Sequence, residues 1–235
     1  MHERNDFLDV REFHVKFGVP IDHPGVPVHW MDDSMFRFRQ KFLTEELSEY
    51  ADAVNRSDLV KTVDSLIDFV YVAMGTALFM GAGEVYVEWP KFAPVRQRVL
   101  RNRWNMPHTS APIFLTGQLN LEMHDRMARL IGQFCLNHVS KSKGEWAHDV
   151  TVGILKMAVL EAYLTAAMMN VPWVECWQHV HDANMKKIRA ASDGSDSTRK
   201  SPWDVVKPVG WLPPDPSIRL ELEMRGAIIH TQGGV

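Results

Sequence analysis

Apolar residues recur at helical spacing through most of the chain. Over residues 7–19, Phe7, Leu8, Val10, Phe13, Val15 and Phe17 predict a short helix that Gly18 and Pro20 stop. Residues 21–28, around Pro24 and Pro27, read as a loop. A second helix starts at the capping run Asp32-Asp33-Ser34 and continues to about Asn55, with Met35, Phe36, Phe38, Phe42, Leu43, Leu47, Tyr50 and Val54 as its apolar positions. Ser57-Asp58 caps a third, from Leu59 to about Met80, whose apolar positions cover most of its circumference and so place it centrally. The short gap between these two helices predicts an antiparallel hairpin.

The pattern weakens from Gly81 to about Gly117, where Pro90, Pro94, Pro107 and Pro112 fall. It returns as an amphipathic helix over 119–139, a long apolar helix over 149–170 and a further helix over 173–191. The run Val152 to Val171 carries Lys156 and Glu161 near its middle, so it reads as a buried core helix and not as a membrane span. Residues 192–201, rich in Ser, Asp and Gly, predict a mobile loop, and a Pro-rich tail follows from about 201. Strand-like alternation is confined to 84–88 and 218–223. The expectation is one all-α domain over 1–235, a helical bundle with an insertion at about 82–150.

Five acids break the apolar pattern of the hairpin. Glu45, Glu46 and Glu49 lie on the second helix, and Asp64 and Asp68 on the third. Three residues advance a helix by about 300° and four by about 400°, so Glu46 and Glu49 share a face, as do Asp64 and Asp68. Carboxylates that close repel one another, and a cation, protons or water must offset the repulsion. Oxygen ligands with no nearby cysteine suit Mg²⁺ or Mn²⁺. The alternative for Asp68 is a buried ion pair with Lys41 or Lys61.

Composition narrows the chemistry further. The chain has 235 residues, 46% hydrophobic content and a formal net charge of -3, with no global basic field for nucleic acid or an anionic membrane. The run Arg96, Arg98, Arg101, Arg103 reads as a solvated face or loop. Cys135 and Cys176 read as small buried hydrophobes, and the polar N-terminus lacks a signal-type apolar run, so a cytoplasmic protein is expected. A di-iron site is excluded because neither acid-bearing helix contains a histidine. His179 and His181, two apart, point to different sides of a helix and read as non-ligands. Magnesium held by carboxylates keeps places for water and phosphate oxygens, which makes a nucleotide polyphosphate the natural ligand. Lys41, with Arg37 and Arg39, and Lys187 from the later helix are the candidate phosphate donors.

The string Phe42-Leu43-Thr44-Glu45-Glu46-Leu47-Ser48-Glu49, with Asp64-Ser65-Leu66-Ile67-Asp68-Phe69-Val70-Tyr71-Val72 and Gly75-Thr76-Ala77, resembles the phosphoribosyl-ATP pyrophosphohydrolase-like and MazG-like members of the all-α nucleoside triphosphate pyrophosphohydrolase superfamily. The resemblance resumes at Val171-Pro172-Trp173, at His181 to Lys187 and at Lys207 to Asp215. It implies Mg²⁺-dependent cleavage of a nucleoside or deoxynucleoside triphosphate to the monophosphate and pyrophosphate. Glu46 and Glu49 match the first acid pair of the family and Asp68 the terminal acid of the second. Glu45 matches the extra acid, a candidate for water activation, while Asn184 and Lys187 match a substrate-contacting block. Of the aromatics near these blocks, Tyr50, Tyr71, Trp173 and Trp211, Tyr71 is the one assigned to substrate. Ser65 stands where the MazG-like pattern has Glu, which weakens the metal assignment of Asp64.

Roughly ninety residues separate Ala77 from Pro172, where simpler members run almost directly from one block to the next. The resemblance implies a homodimer or homotetramer. The helical pattern of residues 119–170 also suggests a hairpin supplied within one chain where relatives use a partner subunit. A catalytically silent nucleotide-binding protein of the same fold is the competing reading. Nothing in the spacing separates purine from pyrimidine or ribose from deoxyribose.

Overall fold

The computed structural model describes residues 5–21, 30–82, 112, 114–115, 117–140 and 144–227. The Arg96–Arg103 run and the strand-like stretch 84–88 lie outside the described residues, as does most of the 21–28 loop.

Local signals set the first three helices. Helix α1 spans Asp6–Phe17, with Asn5 Oδ1 accepting from the Phe7 and Leu8 amides at 3.0 and 3.3 Å. Gly18 closes it in the left-handed region, at φ +59°, where its amide can reach the last carbonyls. Helix α2 spans Asp33–Asn55, capped by Asp32 through the Met35 amide at 2.8 Å. Helix α3 spans Leu59–Phe79, capped by Asp58 through the Lys61 amide at 3.0 Å. The hairpin between α2 and α3 forms as the sequence predicts, and 18 of the 21 residues of α3 are buried.

Helices α4 (Gly117–Val139) and α5 (Glu145–Met168) form a second hairpin, with α4 against α2 and α5 against α3. The four helices make one bundle. Tyr50 of α2 donates to Asn120 of α4 at 3.1 Å, and Asn120 in turn donates to the Leu115 carbonyl at 3.0 Å, so a buried polar pair is satisfied across the two hairpins. By length and hydropathy α3 and α5 resemble membrane spans, but 89% of the apolar window of α3 lies buried among the other helices, which accounts for its composition. Helix α5 begins four residues earlier than expected, at Glu145.

Helix α6 (Trp173–Met185) packs on α3 and on α1. Two acids of α1 fasten it: Asp6 accepts from Tyr163 at 2.7 Å and Trp173 at 2.8 Å, and Asp9 accepts from Trp177 at 2.9 Å. These three rings are buried, and their polar edges would be costly without partners.

Two expectations fail here. The helix expected over 173–191 ends at Met185, because Ile188–Arg189 (β1) turns away to pair antiparallel with Val205–Val206 (β2). Arg189 ties that turn to the core by donating to the Pro202 and Phe17 carbonyls. The strand-like alternation at 218–223 is instead helix α7, Asp215–Met224, which packs on α3 and α6. Ile218 and Leu222, four apart, are both fully buried, whereas Leu220 between them is 56% exposed, so the helical period wins over the period of two. Cys176 is buried, Cys135 half-buried, and both thiols are free.

Gly75 marks a close approach of α1 and α2 to α3. A Cβ there would stand 2.6 Å from His14 Nε2 and 2.8 Å from Arg39 Nη2, both on buried side chains. Gly75→Ala is expected to cost about 1–3 kcal/mol through overpacking, read as a lowered urea midpoint at an unchanged slope.

Candidate active site

The acids of α2 and α3 meet in a cleft of about 450 Å³, open to solvent on one side. Glu45, Glu46, Glu49 and Asp68 line it, with Asn184 and Lys187 from the end of α6 and Lys207 from beyond β2. The sequence-predicted residues that meet here are thus Glu45, Glu46, Glu49, Asp68, Tyr71, Asn184 and Lys187.

Burial dominates the electrostatics. It pushes the Glu46 carboxyl well above its ordinary range, and the charges of Asp68 and Glu49 push it further. Glu49 is raised by burial, then by Asp68 and Glu45. Asp68 is raised by burial against the opposing pull of Lys187, of a hydrogen bond from Asn184 and of Lys207. Burial lowers Lys187, which Asp68 and Glu46 partly restore. Trp211 sets the two lysines: their Nζ atoms lie 5.8 Å (Lys187) and 4.5 Å (Lys207) from its ring, and its indole N–H donates to the Ala183 carbonyl at 2.8 Å.

Two predicted residues stand apart. Lys41 is exposed and lines a separate open groove with Arg37, Gln40, Thr44 and Ser48, on the other flank of Glu45. Asp64 does not line the cleft. Its Oδ2 pairs with Lys61 at 3.3 Å, and Lys61 also binds Asp215 at the start of α7, so the core pair weighed for Asp68 belongs to Asp64. Tyr71 sits at the cleft with its hydroxyl hydrogen-bonded to His181 Nδ1 at 3.1 Å and Phe13 edge-on at 5.3 Å, which fixes it as wall.

Between β1 and β2, residues 190–204 run without regular secondary structure, as a loop, and fold back as a strap that carries Arg199 into the acids. Arg199 Nε donates to Glu45 Oε2 at 2.8 Å, its Nη2 lies 3.7 Å from Glu46 Oε1, and its Nη1 donates to Asp204 Oδ1 at 3.1 Å. The guanidinium lies 3.7 Å over the Phe42 ring. Asp204 is buried and also accepts from Ser197 Oγ at 2.9 Å and the Val205 amide at 2.9 Å. Gly194 allows the strap to close: it takes φ +68°, and a Cβ there would meet the Ser201 amide nitrogen at 2.6 Å.

The other end of the cleft is aromatic and apolar, made by Phe13, Val19, Phe38, Phe42, Tyr71 and Trp203, with two buried polar residues. Burial and the nearby Arg39 charge lower His14 to about 3, so its ring is neutral at ordinary pH. Arg39 donates to Thr76 Oγ1 at 2.9 Å and to the Val72 carbonyl at 2.7 Å, and burial together with Arg199 lowers it to about 9.

One atom argues for a bound cation. Glu46 Oε2 is buried and accepts no hydrogen bond among the described residues, beside two further carboxylates that share its charge problem. Glu46, Glu49 and Asp68, with Glu45 at the rim, have the hard oxygen chemistry that suits a divalent ion. A second grouping, Asp9, Glu12 and His181, has ligand atoms within 4.8 Å of one another. Its Asp9 already accepts from Trp177 and its His181 Nδ1 is engaged by Tyr71, so these groups serve the packing of α1 on α6.

Residues 10–83 match the family model for phosphoribosyl-ATP pyrophosphohydrolase. That family is a member of the MazG-like nucleoside triphosphate pyrophosphohydrolase superfamily, the one the acid motifs resemble. The match takes in most of α1 and all of α2 and α3, and so Glu45, Glu46, Glu49 and Asp68 of the cleft. The later blocks, from Val171 onward, lie beyond it. No curated protein and no solved structure matches the chain. The phosphoribosyl-ATP pyrophosphohydrolase family supports a nucleotide pyrophosphohydrolase type of activity.

The acids also make stability depend on pH. Asp64 is raised to about 7, by burial and then by the Asp68 charge. A carboxyl raised on folding stabilises the protein fully below its unfolded pKa of about 4, and that contribution disappears as the pH rises through the folded value. The metal-free protein should therefore melt at lower temperature at pH 8 than at pH 5. Asp64→Asn should flatten that slope and stabilise the protein at pH 8 by about 1–3 kcal/mol, seen by calorimetry. A profile identical to the parent protein's would refute the assignment.

Proposed function

We propose that this protein hydrolyses a nucleoside or deoxynucleoside triphosphate to the monophosphate and pyrophosphate, with Mg²⁺ or Mn²⁺ held by Glu46, Glu49 and Asp68 and by Glu45 at the rim. The observation that carries the reading is the convergence of these acids in one cleft, with a buried Glu46 oxygen that no hydrogen bond satisfies, opposite Lys187 and Lys207. When bound, the metal would polarise phosphate oxygens and lower the pKa of a coordinated water.

The protein groups divide the remaining work. Lys187 and Lys207, held by Trp211, face the polyphosphate and offset its charge. The oxygen of a water forms a bond to the α-phosphorus, the bond from that phosphorus to the α–β bridging oxygen breaks, and pyrophosphate leaves with the electron pair. The water's proton passes to a carboxylate. Glu49 suits that role through the carboxylate oxygen that the metal leaves free, because it lies toward the open side of the cleft. Phe13, Phe42, Tyr71 and Trp203 offer an apolar end for the base, with the neutral His14 and Arg39 as its polar contacts.

One coarser feature belongs to the same reading. The α4–α5 hairpin covers the bundle face of α2 and α3 that the resemblance would give to a partner subunit, which supports a cleft complete within one chain. A dimeric or tetrameric mass in solution would count against that. The silent alternative finds support in one observation, Arg199 seated on the acids.

A product assay decides between hydrolysis and binding alone. A panel of ribo- and deoxyribonucleoside triphosphates and phosphoribosyl-ATP, incubated with Mg²⁺ and separated by chromatography, should yield monophosphate and pyrophosphate in equal amounts. Orthophosphate with a nucleoside diphosphate, or no turnover on any substrate, would refute the reaction. Glu49→Gln and Asp68→Asn should each lower turnover on the order of 10²–10⁴-fold while the helical circular dichroism stays unchanged.

A further inference from the structure

We infer that Arg199 is a resident counter-charge of the acid cluster that moves onto the phosphate oxygens of the substrate when a divalent cation takes over Glu45 and Glu46. The inference rests on the reaction proposed above and adds a residue that the acid motifs do not contain.

The two edges of the guanidinium are held unequally. Nη1 is fixed to Asp204, at 3.1 Å to Oδ1 and 3.3 Å to Oδ2, and Asp204 is itself pinned by Ser197 Oγ and the Val205 amide. Asp204 is 2% exposed, so this anchor is shielded from competing water. The opposite edge faces the cleft. There Nε bonds Glu45, which is only partly buried, and Nη2 stands 3.7 Å from Glu46 Oε1, too far for a hydrogen bond. Phe42 supports the guanidinium plane from below at 3.7 Å. An arginine does not lose its proton in a protein, so its charge must always be matched. With Glu45 and Glu46 committed to a cation, the same edge is left aimed into the cleft as a pair of donors, a geometry that suits two phosphate oxygens.

The arrangement couples two ligands. Arg199 competes with the cation for the same carboxylates, and it favours an anion only once it has lost that competition. Cation and triphosphate therefore strengthen each other's binding through one side chain. Asp204 is a positioning residue in this scheme, holding the edge that does not move.

Metal affinity without nucleotide separates this device from a purely structural arginine. Free Mn²⁺, followed by electron paramagnetic resonance, should bind Arg199→Gln several-fold more tightly than the parent protein, because the competing charge is gone. Triphosphate affinity with Mn²⁺ present, read by calorimetry, should fall roughly tenfold or more. Arg199→Lys keeps the charge and loses the fork, so it should leave Mn²⁺ binding near the parent value yet still weaken the triphosphate. Asp204→Asn should weaken the triphosphate while Mn²⁺ affinity in the absence of nucleotide rises less than in Arg199→Gln. Melting curves check that each variant folds, and Arg199→Lys carries the test if Arg199→Gln does not.

Unchanged or weakened Mn²⁺ binding in Arg199→Gln, or full triphosphate affinity in both arginine variants, would overturn the inference. Failure of the reaction itself looks different: the parent protein would neither bind nor cleave a triphosphate. In that case the transfer to phosphate falls with it, and the Mn²⁺ arm still decides whether Arg199 is the cluster's counter-charge.

Discussion

Three carboxylates in one partly buried cleft are the constraint around which the molecule is arranged. Two unit charges about 4 Å apart repel by roughly 4 kcal/mol at the effective dielectric of a protein surface. That is a large share of the about 5–15 kcal/mol by which a domain is stable at all. Glu46, Glu49 and Asp68 could not stay together on an apolar hairpin without compensation, and each later element brings some. The end of α6 brings Lys187 and the Asn184 amide, the segment after β2 brings Lys207, and the strap between the strands brings Arg199. Even so, the Glu46 and Asp68 carboxyls remain raised, chiefly by burial, so the protein's own cations do not fully offset the cost of holding these charges away from solvent.

The hairpin can hold such a cluster only because it cannot rearrange. Helix α3 is apolar nearly all round, and α5, α6, α7 and α1 each cover part of it. Helix α1 is fastened by Asp6 and Asp9 to three buried aromatic donors, which turns a short amphipathic helix into a fixed wall of the cleft. Gly75 then lets α1 and α2 close on α3, bringing His14 and Arg39 to the apolar end. The rigidity needed by the acids is supplied by packing, and the acids use a flank of the hairpin that stays open among the described residues.

What the sequence made legible follows from the range of each signal. Caps such as Asp32 and Asp58 act within three residues, and the acid spacing acts within a turn, so α2, α3 and the grouping of Glu46, Glu49 and Asp68 could be read directly. Asn184 rests on resemblance alone, and Lys187 on resemblance together with its charge, since nothing local says that the end of α6 meets α3. The end of α6 itself was misjudged because Ile188 and Arg189 obey a partner, Val205–Val206, that lies sixteen residues or more away. Lys41 was assigned by its place one turn before Glu45, but one turn of helix does not choose between the two flanks of an acid, and Lys41 took the outer one. Arg199 lay in a run whose Ser, Asp and Gly content normally means disorder. The signal was there in Ser197 and Asp204, polar residues that become a buried anchor, but burial of a short polar segment depends on contacts that composition does not carry.

Asp204 deserves its central place because it touches both ends of the cleft. It holds Arg199 by a direct pair, and its charge partly offsets the lowering that burial and Arg199 impose on Arg39. Arg39 in turn is locked to Val72 and Thr76 of α3, the helix that carries Asp68. Two arginines of like charge are thus kept near one another by a single buried carboxylate, one facing the acids and the other facing the aromatic pocket. Movement of the Arg199 charge toward or away from the acids must alter the field at Arg39, since both side chains are largely buried and solvent screens them poorly. The acid end and the aromatic end of the cleft are therefore one electrostatic unit, and the strap that sequence composition marks as a loop is the element that joins them.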